Sequence, residues 1–146
     1  NSAIFKSDEY AIYTRLIRGE YFKYQKMFTE GEINTCASRT ALIGAMTRAK
    51  MCTEEKQPAV FQIEDDVLNI SIRDKLADYQ EQVPLQETVC KSIRLGFDSK
   101  LVLETLKAFT CENIALGFTS PRTPMIVEAE DSDMKAMVLP VAIREA

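Results

Sequence analysis

The chain has 146 residues, 46% of them apolar, giving room for one domain, or one domain with a piece of another, around a packed core. Its net charge of −4 argues against a dedicated nucleic-acid binder, whose phosphate contacts need concentrated Lys and Arg, although a local basic face stays open. There is no histidine, which excludes imidazole bases, shuttles and ligands, and the five glycines are isolated, leaving no phosphate-cradling loop or dinucleotide fingerprint.

In chain order, residues 1–6 and 10–17 are β-like runs joined by Ser7-Asp8-Glu9 and read as a hairpin, and Arg18-Gly19-Glu20 breaks the pattern. The aromatic and basic segment 21–28 has two readings: a base-stacking strip, or aromatics packing where a connector crosses between sheets, and the second is preferred. Residues 32–35 form a brief strand before a helix over 38–51, whose stripe Leu42, Met46 and Ala49 lies opposite Thr40, Gly44, Thr47 and Arg48. Polar residues 53–58 end it. Strands over 60–64 and 67–73 make a hairpin across Asp65-Asp66, and 77–83 adds a third strand. The cluster Glu64-Asp65-Asp66 reads as a solvated turn rather than a metal site, because no further ligand group is spaced around it.

A strand over 92–97 feeds the most informative stretch, 99–118. Val102, Leu106 and Phe109, with Leu103 beside them, make one apolar helix face, and Lys100, Glu104 and Lys107 fall opposite. After Thr110-Cys111-Glu112 the period changes to two, with Ile114, Leu116 and Phe118 marking a strand buried on one face. Strands over 113–119, 125–128 and 135–143 follow. The order is strand, helix, three strands, then the same again: a duplicated α+β arrangement with two helices side by side on one face of a mostly antiparallel sheet. Arg48, Lys100 and Lys107 face outward on those helices.

No run approaches the ~18–20 apolar residues of a membrane span, and the N-terminus carries no signal pattern. Cys36, Cys52, Cys90 and Cys111 match no zinc, redox or small secreted framework and read as reduced, mostly buried thiols of a cytoplasmic protein. Carboxylates fall on turns or exposed helix faces, poor settings for an acid at neutral pH. The residues argue for binding rather than catalysis.

Several stretches carry a resemblance: 103–114, Phe118-Thr119-Ser120-Pro121 with Pro124-Met125-Ile126-Val127, Met137-Val138-Leu139-Pro140-Val141, and Arg15-Leu16-Ile17-Arg18-Gly19-Glu20-Tyr21 as a linker entry. In order and spacing the chain resembles the bacterial sliding clamp, the beta subunit of DNA polymerase III, over its third domain and the end of its second. The resemblance implies a DNA-clamp fold, with 1–27 as the C-terminal hairpin of the preceding domain plus linker and 28–146 as a complete third domain. It implies a ring of two three-domain chains around duplex DNA, with helices lining the channel, no enzymatic activity and no cofactor or metal. By the resemblance, Arg48, Lys100 and Lys107 face DNA, which a few cations attract weakly and without sequence readout.

The resemblance also implies a peptide pocket that docks the replicative polymerase, clamp loader and repair proteins. Its wall is Met137, Val138, Leu139, Pro140, Val141 and Ala142, with Phe22, Lys26 and Met27 from the linker and Pro124 from the neighbouring hairpin. Without the resemblance, Leu139 and Val141 read as core of the last strand. Phe22 stands where the family usually has proline and Ala142 where it often has arginine, so the rim has lost a cation. Met51, Cys52, Ala77, Tyr79 and Glu81 match the homodimer contact, whose partner domain is absent, so the chain alone is not expected to close a ring. The alternative is a small-molecule-binding or enzymatic α+β domain unrelated to DNA, which the missing histidine and glycine loops disfavour.

Overall fold

The computed structural model describes residues 1–52, 57–73, 78–129 and 131–143. Both helices start where a polar side chain takes up free backbone N–H groups. At α1 (Arg39–Met51) the extended Ser38 accepts from the Ala41 N–H at 3.4 Å. At α2 (Ser99–Ala108) Asp98 Oδ1 accepts from Lys100 and Leu101, at 2.8 and 3.2 Å. The Asp98 charge at the N-terminus and Lys107 in the last turn both suit the helix dipole.

A hairpin, β1 (Ser2–Lys6) with β2 (Ala11–Arg15), forms a two-stranded sheet of its own. The remaining strands are β3 (Ile33–Ser38), β4 (Ala59–Arg73), β5 (Asp78–Phe97), β6 (Asn113–Phe118), β7 (Met125–Ala129) and β8 (Ser132–Val138). They form one six-stranded sheet in the order β4-β5-β3-β6-β7-β8, every neighbouring pair antiparallel. The two helices pack against each other and, with the sheet, enclose the core, as the duplicated α+β reading expects. Leu42, Ala45, Met46 and Ala49 of α1 and Val102, Leu103 and Leu106 of α2 are buried there, above Phe61 and Phe97, whose rings meet edge to face at 5.1 Å.

The strand divisions differ from expectation. Residues 60–64 and 67–73 do not form a hairpin across Asp65-Asp66; they are one strand. The buried positions run Ala59, Phe61, Ile63 and then Leu68, Ile70, Ile72, a shift of phase that has the same pattern as a turn between two strands. A bulge causes it: Asp65 has φ 51°, and the ladder to β5 changes register on both sides of it. An extra residue flips the side-chain alternation, so both halves of β4 keep their apolar faces on the core. The expected strands 77–83 and 92–97 are likewise parts of β5, because Val83, Leu85, Val89, Ile93, Leu95 and Phe97 keep one phase through its length. Residue 77 itself lies outside the described residues.

The last strand stops at Val138, short of the expected 143, and Pro140, which has no N–H to donate, follows just beyond the break. The aromatic connector does not pack as expected either: Tyr21, Phe22 and Tyr24 are exposed, Tyr24 meeting Tyr21 and Phe28 edge on. Of the cysteines only Cys111 is buried, Cys90 is exposed, and no disulfide joins any of the four. Glu64, Asp65 and Asp66 are exposed on the bulged strand rather than in a turn. Among the described residues no helix is long and apolar enough to cross a membrane.

Candidate functional site

Lys100 and Lys107 are exposed on α2, opposite the buried stripe Val102, Leu103 and Leu106, with Glu104 between them. Neither ammonium takes part in an ion pair among the described residues. Two cations flanking one carboxylate give a face of weak positive charge, which attracts a polyanion without gripping it.

Arg48 is placed differently. Its guanidinium folds back over Gly44, where an added Cβ would lie 3.2 Å from Nη2, and forks onto Glu81 of β5, Nε to Oε2 at 2.8 Å and Nη2 to Oε1 at 2.5 Å. The Tyr79 hydroxyl lies 2.5 Å from Glu81 Oε2 and 2.9 Å from the Ala45 carbonyl, so its single proton is shared between two acceptors. The two-pronged contact to Arg48, then the Tyr79 hydroxyl, hold the Glu81 carboxyl down at about 2, and the same contact raises Arg48. Burial first, and Glu81 second, push the Tyr79 phenol up. A residue expected on the DNA face and two expected at the homodimer contact thus form one intrachain staple between α1 and β5. The last residue of α1, Met51, stands beside it 82% exposed, with Cys52 half-buried. Over 78–83 β5 is hydrogen-bonded to β4, and its ladder to β3 reaches only Leu85, so among the described residues no strand pairs with its other edge there.

Of the expected pocket wall, Leu139 is 60% and Val141 40% exposed, beyond the end of β8, and neither is core. Val138 is buried inside β8, Met137, Pro124 and Pro140 are half-buried, and Ala142 is exposed. What fixes this segment is a close crossing: the Val141 N–H donates to the Gly96 carbonyl at 2.8 Å, and a Cβ on Gly96 would lie 2.8 Å from Val141 O. Glycine is what lets the segment lie directly on β5. Phe22 and Lys26 are exposed and Met27 half-buried, on and around the short 3-10 turn Tyr24–Met27.

Sequence reasoning missed the tie between Arg48 and Glu81, the role of Gly96, and an exposed Arg122 beside Pro124. Only the last had a signal, the turn-forming Ser-Pro-Arg-Thr run. A groove of about 290 Å³ lies elsewhere, on the outer sheet face between Phe28–Gly31 residues and the Glu128–Lys135 ion pair (2.7 Å). Among the described residues no group of three or more Cys, Asp or Glu is placed to hold a metal ion.

The chain is similar to known proteins along nearly its whole length. A family model described as DNA polymerase III beta subunit, C-terminal domain, matches residues 27–142. The beta sliding clamp of Halalkalibacterium halodurans is 25% identical over 138 residues, 91% of this chain and 36% of that protein. That of Staphylococcus aureus is 24% identical over 146 residues, 97% of this chain and 39% of the relative. The chain therefore spans less than two fifths of the curated relatives it matches. Among solved structures, the DNA polymerase III subunit beta of Pseudomonas aeruginosa matches with a TM-score of 0.88 at 19% identity, over 97% of this chain and 40% of that one. The DNA polymerase III beta subunit of Thermotoga maritima matches at 0.85 and 16%, over 97% and 39%. These likenesses establish the fold.

Proposed function

The chain belongs to the DNA polymerase III beta family, within the C-terminal domain of that protein, and from that premise we propose that it is the third domain of a sliding clamp, the processivity factor of the replicative polymerase. Residues 28–146 belong to that domain, and 1–27 are the closing hairpin of the domain before it and the linker. The role is non-catalytic. The intact protein encircles duplex DNA as a homodimer, with α1 and α2 toward the channel, and slides because few cations meet the phosphates.

The observation that carries this reading is the face of α2: Lys100 and Lys107 stand free of ion pairs among the described residues, on the side away from the core. Arg48 contributes less to DNA than its position on α1 suggests, because Glu81 neutralises it. The exposed Met51, with Cys52, Tyr79 and Glu81, forms the edge that meets the second copy in the homodimer.

Leu139 and Val141, with Met137, Pro140, Ala142, Pro124 and the linker residues Phe22, Lys26 and Met27, form a docking surface for short peptide motifs of polymerase, clamp loader and repair proteins. Exposed aliphatic side chains on a pinned segment are the anchor such a motif needs. A methyl-labelled intact protein titrated with a short peptide rich in Gln, Leu and Phe should shift the Leu139 and Val141 methyls first. Unmoved methyls at millimolar peptide would remove the docking assignment.

A further inference from the structure

The staple between α1 and β5 joins two parts of the proposed homodimer edge. Met51 ends α1 one helical turn after Arg48, and Glu81 lies in the stretch of β5, residues 78–83, whose second side no described strand pairs. Two prongs of Arg48 reach Glu81 at 2.8 and 2.5 Å, and the Tyr79 hydroxyl meets Glu81 Oε2 at 2.5 Å and the Ala45 carbonyl at 2.9 Å. Ala45 is buried, which anchors the staple in the core. Gly44 leaves the space for it: a Cβ there would lie 3.2 Å from Arg48 Nη2 and 3.4 Å from Nη1.

These contacts occupy the groups that a neighbouring molecule would otherwise use. Both oxygens of Glu81 accept from inside the chain, one of them twice, and Arg48 gives that carboxylate the parallel pair of bonds that suits a guanidinium. The Tyr79 proton already has its acceptors. Opposite charges thus cancel within the chain, and neither is left as the counter-ion of a charge across the contact. Met51 is different, an apolar and adaptable side chain 82% exposed at the end of the helix that the staple holds.

We infer that Arg48, Glu81 and Tyr79 are positioning residues of the homodimer: they lock the last turn of α1 onto β5, so that Met51 and the edge over 78–83 meet the second copy as one preformed surface. The three act inside the chain and form no ion pair across the contact. The inference rests on the homodimer reading above and assigns how its edge is built. A helix end and a strand edge ordered in advance lower the cost of association, and Met51 is then a fixed anchor.

The test is the dissociation constant of the intact homodimer, read by mass photometry over a dilution series. Arg48→Glu and Glu81→Arg should each weaken the dimer roughly three- to tenfold, the size of a partly exposed charge pair and the order it supplies. Combined, they should return it close to wild type, because the pair is rebuilt within one chain. Amide exchange in the diluted monomer should rise at Ala49–Met51 in each single variant and fall again in the combination, whereas a general loss of stability would move all core amides together. Single variants that dimerise like wild type overturn the inference. So does a combination no better than the weaker single variant, which would place Arg48 or Glu81 against a charge of the second copy. Wild-type protein that stays monomeric at micromolar concentration, with Ala49–Met51 still protected, overturns the homodimer reading itself and the inference with it.

Discussion

Gly96→Ala is the smallest change that should displace the C-terminal segment. The new Cβ would sit 2.8 Å from Val141 O, 3.0 Å from Ile143 Cγ1 and 3.2 Å from Pro58 Cβ. The first contact is with a backbone oxygen, which cannot rotate away as a side-chain end can. The Val141 N–H also donates the 2.8 Å bond to the Gly96 carbonyl, so relieving the clash lengthens that bond. Overpacking of this kind costs about 1–3 kcal/mol, and the hydrogen bond adds about 1 kcal/mol. Release of the Val141 crossing limits the total, because it relieves the clash at the loss of that one hydrogen bond. The expected result is a fall of about 1–3 kcal/mol in urea unfolding, with Val141 amide exchange accelerated by one to two orders of magnitude. Unchanged protection of that amide would refute the close-crossing argument, and peptide affinity should fall with it.

Lys100→Glu combined with Lys107→Glu should shift unfolding by less than about 1 kcal/mol, because both side chains are exposed opposite the core stripe and their effects on the helix dipole oppose each other. It should weaken the low-salt affinity of the intact protein for linear duplex DNA and reduce the salt dependence of that affinity, each lost phosphate contact lowering the slope by about 0.9. Affinity and salt slope equal to wild type would take both lysines out of contact with DNA. Glu81, whose folded pKa of about 2 lies below the ordinary 4.5, contributes stability that is fully present above pH 4.5 and lost as pH falls toward 2. Glu81→Gln should therefore flatten the decline in stability between pH 4.5 and 2, as acid titration followed by circular dichroism would reveal. Leu106→Ala, at a position 1% exposed between the helices and sheet, should cost about 2–5 kcal/mol in chemical denaturation. A cost well below that range would contradict its place in the core.

What was legible in the sequence was local and periodic. The stripe Val102, Leu103, Leu106 and Phe109 and the alternation Ile114, Leu116, Phe118 name their burial directly, and all are buried. The bulge at Asp65 was not legible, because a phase shift from one extra residue looks the same in sequence as a turn between two strands. The exposure of Leu139 was hidden because an apolar residue following a strand continues its pattern on paper. Only the departure of the chain after Val138 and the contact of Val141 with Gly96 separate it from the core. The bond between Arg48 and Glu81 joins residues 33 apart in sequence, and nothing local marks either as the other's partner. Exposure of a cation can be read from a helix wheel; its neutralisation by a neighbouring strand cannot.

On the proposed reading, the intact protein containing this chain holds DNA by topology rather than by affinity. The most direct measurement loads the labelled intact protein onto closed circular duplex, isolates the complex at raised salt, and then linearises the DNA with a single-site nuclease. A clamp stays bound to the circle and runs off the ends within minutes of cutting. Retention that is the same on circular and linear DNA, or lost from the circle as salt rises, would contradict it.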